Sequence, residues 1–412
     1  MKSPRIPKRI KRFLHRVQLP DALARALRDP RKNKGKRWGF GYLLDVFLTA
    51  AIVQTPSMKG VEGVSETMAL KVPDSTLAFT FERVDPRPLR LVLRQQIRDM
   101  LRAKTLRPVD LPIGVLTIDG KTTWTGDHRG DSMCQLQDEV WNLRVMRAVL
   151  TSAASRPCID QDFIPPKTNE MGHFPTFWRE LVKTWKHTNL FGLVTLDAGY
   201  TSQANAALID ADDLGYVMRI KDSQPTLRAE LERVLRPRVG QPDAVSAWER
   251  RNGKEVQRRL FRSNAIADWD GWAHARQGWL VQTVLMDDAG QETVAMERWF
   301  LTNLPWGLLS GAQILLVVRG HWRIENDCNW TLDVVWEEDT RSWATNAAAV
   351  WEHHPLQLLS WLRMLSYNVV GWLRLVRLRS HPTWAALRDA LRRVLLPCPG
   401  ELDLEVCLAL LG

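Results

Sequence analysis

Cysteine is scarce in this chain of 412 residues, which contains five. Their number is odd and none stands in a C-x-x-C pair, so neither a disulfide framework nor a cysteine-rich zinc site is indicated. Long apolar runs are also absent: the longest near the N-terminus, residues 40–53, is too short for a membrane span and contains Asp45. No apolar signal-peptide segment follows the basic N-terminus. These absences predict a soluble cytoplasmic protein.

Acidic residues are rare at the start of the chain. Residues 1–37 contain 14 Lys or Arg against only Asp21 and Asp29, a net charge of +12, whereas the whole chain carries +11. A basic arm on a nearly neutral body predicts a polyanionic partner, most simply double-stranded DNA. A solubilising tail is the alternative, and membrane binding is disfavoured because the arm lacks an amphipathic apolar face. The arm residues predicted to contact DNA are Lys8, Arg9, Lys11, Arg12, Lys34, Lys36 and Arg37.

Apolar spacing divides the rest of the chain into five segments. Residues 38–110 have helical spacing and are predicted to form a DNA-binding domain. Residues 111–239 alternate strand-like and helix-like runs, which is typical of an α/β sheet with buried strands. Residues 240–308 are predicted to be a β-rich insertion, residues 309–378 return to helical spacing, and a tail occupies residues 379–412.

Two apolar runs end at an aspartate that is followed by glycine or Ala-Gly. They are IGVLTIDGK around Asp119 and LFGLVTLDAGY around Asp197. In open α/β sheets, functional groups collect at the carboxyl ends of strands, so the two carboxylates are expected to be neighbours. Each aspartate alone could instead cap a helix or begin a turn.

A third acid, Glu325, stands in the helix-like segment RGHWRIEN. A helix that begins near Gln313 would place His321, Glu325 and Asn329 on one face, because residues i and i+4 stack. The acids at 337–339 fit a solvated face. Glu325 fits such a face poorly, because cationic and aromatic residues crowd it on both sides.

Two carboxylates at strand ends and one on a helix could hold a pair of hard divalent cations, which prefer oxygen ligands. Such a pair clamps the attacking and leaving oxygens of a phosphoryl transfer. Basic residues lie near Asp119 and Glu325 in the chain and after the strand run YVMRI, and they could contact a phosphate backbone or serve in salt bridges and solvated turns. These candidate DNA contacts are Lys121, Lys221, Arg319, His321 and Arg323.

The ordered set IDGK at 118–121, LDAGY at 196–200 and RGHWRIEN at 319–326 resembles the DDE transposases of bacterial insertion sequences, most closely their H-repeat-associated branch. Further matches are LRDPRKNKGKRWGFGYLLDVFLTA at 27–50, KTNE at 167–170, YVMRIKDSQPTL at 216–227 and WTLDVVWEEDT at 330–340. The resemblance implies a ribonuclease-H-like core, a mixed sheet flanked by helices, with a β-rich insertion between the second and third acids.

The resemblance also implies a site and an activity. Asp119, Asp197 and Glu325 would be the catalytic residues and would bind two Mg²⁺ ions, for which Mn²⁺ could substitute. The protein would bind the terminal inverted repeats of an insertion sequence and perform strand cleavage and strand transfer, as a homodimer on DNA at the bacterial nucleoid. A standalone metal-dependent nuclease and a catalytically decayed DNA-binding remnant are the alternatives.

One departure from the family concerns the third acid. The family signature around this glutamate is Y-x2-R-x3-E-x6-K, and the corresponding positions here are Val318, His321, Glu325 and Leu332. Arg319 and Arg323 are the candidates to replace the missing phosphate contacts.

Overall fold

The computed structural model describes residues 13–14, 17, 19–32, 36–124, 131–137, 139–251, 253–344, 353–378 and 381–396. The arm residues Lys8, Arg9, Lys11, Arg12 and Lys34, which are predicted to contact DNA, lie outside the described residues. Among the helices of the described ranges, none is long and apolar enough to cross a membrane.

Helices form the first layer of the described chain. They are α1 (Leu19–Ala26), α2 (Phe40–Ile52), α3 (Met58–Met68), α4 (Asp74–Phe81) and α5 (Leu89–Arg102). Ser57 begins α3 by accepting a hydrogen bond from the Gly60 N–H at 3.2 Å, which satisfies one of the free donors of the first turn. Four of these helices lie within the segment 38–110, between Phe40 and Arg102. That this segment is a DNA-binding domain stays a prediction.

The described strands form a single sheet. They are β1 (Val115–Trp124), β2 (Cys134–Gln137), β3 (Val140–Leu150), β4 (Cys158–Phe163), β5 (Leu193–Leu196), β6 (Gly215–Ile220), β7 (Ala244–Val245), β8 (Glu249–Arg251), β9 (Lys254–Ser263), β10 (Gln277–Met286) and β11 (Glu292–Thr302). Their order is β2-β3-β1-β5-β6-β11-β10-β9-β7, with β4 paired to β3 and β8 to β9.

The middle of this sheet is mixed. Strands β1, β5 and β6 are parallel, whereas β3 is antiparallel to β1 and to β4. With helices on both faces, this arrangement confirms the predicted α/β, ribonuclease-H-like fold class. The predicted β-rich segment extends the same sheet, because β11 pairs with β6 and sets Phe300 opposite Arg219.

Seven further α-helices follow the first strands in the described part of the chain. They are α6 (Glu170–Trp185), α7 (Gln203–Asp210), α8 (Pro225–Leu235), α9 (Gly311–His321), α10 (Trp330–Val335), α11 (Pro355–Trp372) and α12 (Trp384–Leu395). A capping box begins α9, where Ser310 and Gln313 satisfy each other's backbone N–H groups. A π-helix, Ile324–Asn329, connects α9 to α10.

Alternating strand residues face two apolar cores. On one face, Val115, Leu193 and Val217 pack with Ile314 and Val318 of α9. The other face belongs to a larger core that includes side chains of α2, α5, α6 and α11. Every residue of α11 is buried. The first helical layer and the sheet therefore share one core, with α11 between them.

Candidate metal centre

Strand register places Asp119 and Asp197 side by side. The last paired residues of the parallel strands β1 and β5 are Ile118 and Leu196. Asp119 and Asp197 follow them directly in the chain. Neighbouring strands lie about 5 Å apart, so the expectation that the two residues are neighbours is confirmed. Asp119 is not at the end of its strand, however, because β1 continues to Trp124 in register with β3.

Glu325 lies in the π-helix that follows α9. Backbone hydrogen bonds of a π-helix join residues five apart, so the four-residue spacing of an α-helix is lost there. His321 and Asn329 are buried, whereas Glu325 is exposed. The prediction that these three residues share one helix face is therefore wrong. Short π-helical segments are frequent at functional sites.

A fourth carboxylate, that of Glu170, approaches the aspartates from the first turn of α6. It does so through the space left by Gly120: a Cβ atom added there would lie only 1.9 Å from Glu170 Oε1. Tyr200 lies beside it and is 1% exposed, and its hydroxyl interacts with the Glu170 carboxylate. Burial and the negative charge of Glu170 and Asp119 raise the pKa of Tyr200 above its usual value.

The acids act on each other electrostatically. Burial, followed by the charges of Glu325 and Glu170 and by that of Asp197, raises the pKa of Asp119 to about 8. Although the Glu325 side chain is exposed, partial desolvation of its carboxyl group and the charge of Asp197 raise its pKa as well. Because such effects weaken with distance, these four residues form one carboxylate cluster.

Asp197 differs from the other acids because it has cationic partners. Its carboxylate lies 3.3 Å from Arg219 Nη1 and 3.2 Å from Lys221 Nζ. Burial alone would raise its pKa, but the Ala198 N–H and these two cations lower the pKa below its usual value. Asp197 is therefore ionised at neutral pH.

The donor chemistry of the carboxylate cluster fits a hard divalent cation. All its donors are carboxylate oxygens, the ligands that such cations prefer. Within the described ranges, no three His, Cys, Asp or Glu side chains are placed closely enough to hold a metal ion. Ion binding would require Asp197 to exchange Arg219 and Lys221 for the metal.

The family model of the transposase DDE domain matches residues 113–353, a range that begins just before β1 and includes Asp119, Asp197 and Glu325. This chain belongs to that family. DDE transposases generally use divalent metal ions, in agreement with the oxygen donors of the cluster. The roles of the three residues in this transposase stay predictions.

No curated protein matches this transposase. Among solved structures, it is similar to the piggyBac transposase in a cryo-EM structure of its synaptic complex with hairpin DNA, at 12% sequence identity and a TM-score of 0.46. The similarity covers 100% of this chain and 85% of that one. A likeness at this level carries no argument about function. Membership of the H-repeat-associated branch also stays a prediction.

The predicted DNA contacts of the core differ in their availability. Lys221 borders the carboxylate cluster and is half exposed. Lys121 is held by Asp333 and Asp339, at 2.6 and 3.1 Å. Arg319 pairs with Glu249 at 2.8 Å. Each would have to leave an acid to hold a phosphate.

Arg323 and His321 are directed into the protein. Arg323 donates a hydrogen bond to the Thr151 carbonyl at 3.2 Å. His321 is 4% exposed, and its Nδ1 lies 3.1 Å from Thr195 Oγ1 on β5. A buried imidazole that holds α9 against the sheet does not reach DNA, so the prediction of a DNA contact by His321 is corrected.

The buried imidazole gives this transposase a pH-dependent stability. Burial is the main cause that lowers the pKa of His321 from 6.5 to about 4. Between these values the unfolded state binds more protons than the folded state, so stability is full above pH 6.5 and is lost as the pH falls to 4. We expect His321→Gln to flatten the pH dependence of the unfolding free energy in this window. The exposed His187, changed to Gln, is the control, and an unaltered pH slope in His321→Gln would contradict the assignment.

Two of the seven arm residues predicted to contact DNA, Lys36 and Arg37, lie within the described residues. Lys36 pairs with Asp29 at 3.2 Å, and the Arg37 guanidinium lies 5.1 Å from the ring centre of Trp38. Their DNA contacts stay predictions. Glu338 is not on a solvated face: it is 5% exposed and its Oε1 lies 2.6 Å from Arg147 Nη2, so that expectation is wrong.

The sequence-based set of site residues omits Glu170 and Arg219. Glu170 belongs to the matching KTNE segment, but its approach to Gly120 depends on how α6 packs against β1. Arg219 could have been predicted from the sequence. It stands two residues before Lys221 in the strand run YVMRIK, and alternate residues of a strand share a face.

Proposed function

We propose that this transposase binds the terminal inverted repeats of an insertion sequence and performs Mg²⁺-dependent strand cleavage and strand transfer. The observation that carries the proposal is the carboxylate cluster, with Asp119 and Asp197 on adjacent parallel strands and Glu325 beside them, inside the segment that matches the transposase DDE domain. The neighbouring cations Arg219 and Lys221 suit a substrate of negatively charged strands.

In this proposal, Asp119, Asp197 and Glu325 bind two Mg²⁺ ions, for which Mn²⁺ can substitute. When bound, the ions activate the attacking oxygen and stabilise the leaving oxygen of a phosphoryl transfer. The Gly120 N–H donates to Asp119 Oδ1 at 2.9 Å and fixes the direction of that carboxylate. Arg219 and Lys221, which now pair with Asp197, would lie beside the ions and would hold the DNA backbone.

DNA recognition is proposed to lie in the N-terminal part of the chain. Residues 38–110 recognise the element ends, and the basic arm at 1–37 adds affinity that weakens with salt. Two ends must be joined in one event, which requires at least a homodimer on DNA. This activity would place the protein at the nucleoid in the cytoplasm.

The test is an incubation of the full chain with linear DNA that carries the sequences flanking its gene, in Mg²⁺, Mn²⁺ or EDTA. We expect metal-dependent cuts at the element ends and covalent strand-transfer products. Cuts without end preference or transfer would favour the standalone nuclease. DNA binding without any cut would favour the decayed remnant.

We further propose that Glu170 supports the centre. Glu170→Gln is expected to lower the cleavage rate about 10–100-fold. This is the usual loss when a residue that contacts metal ligands, without binding the metal itself, is changed. Gly120→Ala should do the same without unfolding the protein, because the three atoms nearest to the added Cβ all belong to the flexible side chain of Glu170, which can move away. Cleavage rates of both single variants and the double variant test this. If both changes act through the Glu170 carboxylate, the double variant should lose about as much activity as either single variant. A loss in the double variant equal to the product of the two single losses would contradict this.

A further inference from the structure

Two guanidinium groups lie against one indole beside the carboxylate cluster. Trp322 ends α9, and its ring centre lies 5.2 Å from Arg219 Cζ and 5.1 Å from Arg298 Cζ. Such cation–π contacts hold cations in place without neutralising them. The register that pairs Phe300 with Arg219 puts Arg298, two residues along β11, on the same face of the sheet.

Arg298 differs from its basic neighbours because no carboxylate pairs with it within the described residues. Arg219 has Asp197, while Arg258 and Arg319 share Glu249. Arg298 is half-buried, and its Nε makes no hydrogen bond. Burial and the positive charges of Arg219 and Arg258 lower its pKa.

A half-buried charge without a partner is unfavourable in the free protein. Replacing the charge by an apolar group of similar size removes this cost. The arrangement is therefore explained poorly by a need for stability and well by an anion that binds between the two guanidinium groups.

The surroundings favour an extended polyanion. The site borders solvent at one end, because Met296, two residues before Arg298 on the same strand face, is 45% exposed. Towards the carboxylate cluster, the face continues through Arg219 to Asp197. A DNA strand that crosses this face would reach the carboxylate cluster.

We infer that Arg298 and Arg219, held on either side of Trp322, form a phosphate-binding site for the DNA strand that enters the carboxylate cluster. This inference rests on the proposed action on DNA. It assigns the phosphate contact to Arg298 and to Arg219, whose acidic partner Asp197 belongs to the carboxylate cluster itself. Arg319 and Arg323 bind Glu249 and the Thr151 carbonyl instead.

The test compares Arg298→Met with Arg236→Met in the full chain. Arg236 is a matched control, because it also lies on an indole, 5.1 Å from the ring centre of Trp299, but pairs with Glu297 at 2.7 Å. Binding of a fluorescein-labelled duplex of about 30 base pairs is measured in EDTA over a range of salt concentrations. Melting temperatures are measured without DNA.

We expect Arg298→Met to weaken DNA binding about tenfold and to lower the slope of log affinity against log salt by about one. Its melting temperature should be unchanged or higher, and Arg236→Met should keep the wild-type affinity and slope. If wild type binds but Arg298→Met binds equally well, the inference fails and the proposed function stands. A fall in both melting temperature and affinity would make Arg298 a structural residue and overturn the inference. No binding by wild type would overturn both.

Discussion

Asp119→Asn, Asp197→Asn and Glu325→Gln are each expected to reduce metal-dependent cleavage of element-end DNA by about 10³-fold or more. Each change removes a charged oxygen donor, and metal ions supply several kcal/mol of transition-state stabilisation. Side-chain size is nearly unchanged and negative charge beside the DNA decreases, so binding should stay equal or become tighter. Single-turnover cleavage and DNA binding in EDTA measure the two effects separately.

The control for this series is Asp327→Asn. Asp327 stands in the same π-helix as Glu325, but it pairs with Arg156 at 2.7 Å and is not among the acids that act on Asp119. Its variant should cut DNA at close to the wild-type rate. Full activity of Glu325→Gln would refute the role of Glu325 and direct attention to Asp333.

Asp160→Ala is expected to destabilise the fold by about 3 kcal/mol, which is typical of removing one partner from a buried ion pair. Asp160 on β4 is completely buried and lies 2.8 Å from Arg90 Nε and 2.8 Å from Arg94 Nη2, both on α5. After the change, Arg90 keeps Asp162 at 3.2 Å and Arg94 keeps only Glu180 at 3.7 Å. The free energy of unfolding in urea is the measurement.

An exposed ion pair on the same helix provides the comparison. Asp99 lies 3.1 Å from Arg102, and both side chains are exposed, by 42% and 69%. Asp99→Ala should therefore cost less than about 1 kcal/mol. Equal losses in the two variants would mean that burial of the Asp160 pair adds nothing to the contact between α5 and the sheet.

The sequence predicted the strands and their acids because buried parallel strands give short apolar runs, and the residue that follows each run is easily identified. Adjacency of Asp119 and Asp197 followed from this pattern. The apolar pattern could not reveal that β1 extends beyond Asp119, because that extension depends on antiparallel pairing with β3.

Other features depend on partners that are remote in the chain. Glu338 stands in an acidic run that looks solvated, yet its partner Arg147 is 191 residues away. Arg298 and Arg219 meet only through the pairing of β11 with β6. The π-helix at Glu325 has no local sequence signal comparable with a capping residue, so the helix was expected to continue with α-helical spacing.

In the proposed function, Asp119, Asp197 and Glu325 bind the metal ions on which DNA cleavage depends. Electron paramagnetic resonance of Mn²⁺ tests it most directly, by counting bound ions in the wild type and in the triple variant Asp119→Asn, Asp197→Asn, Glu325→Gln, each with DNA. We predict about two bound ions per wild-type chain in excess of the DNA alone, and none for the triple variant. Equal Mn²⁺ binding by the two proteins would contradict the claim.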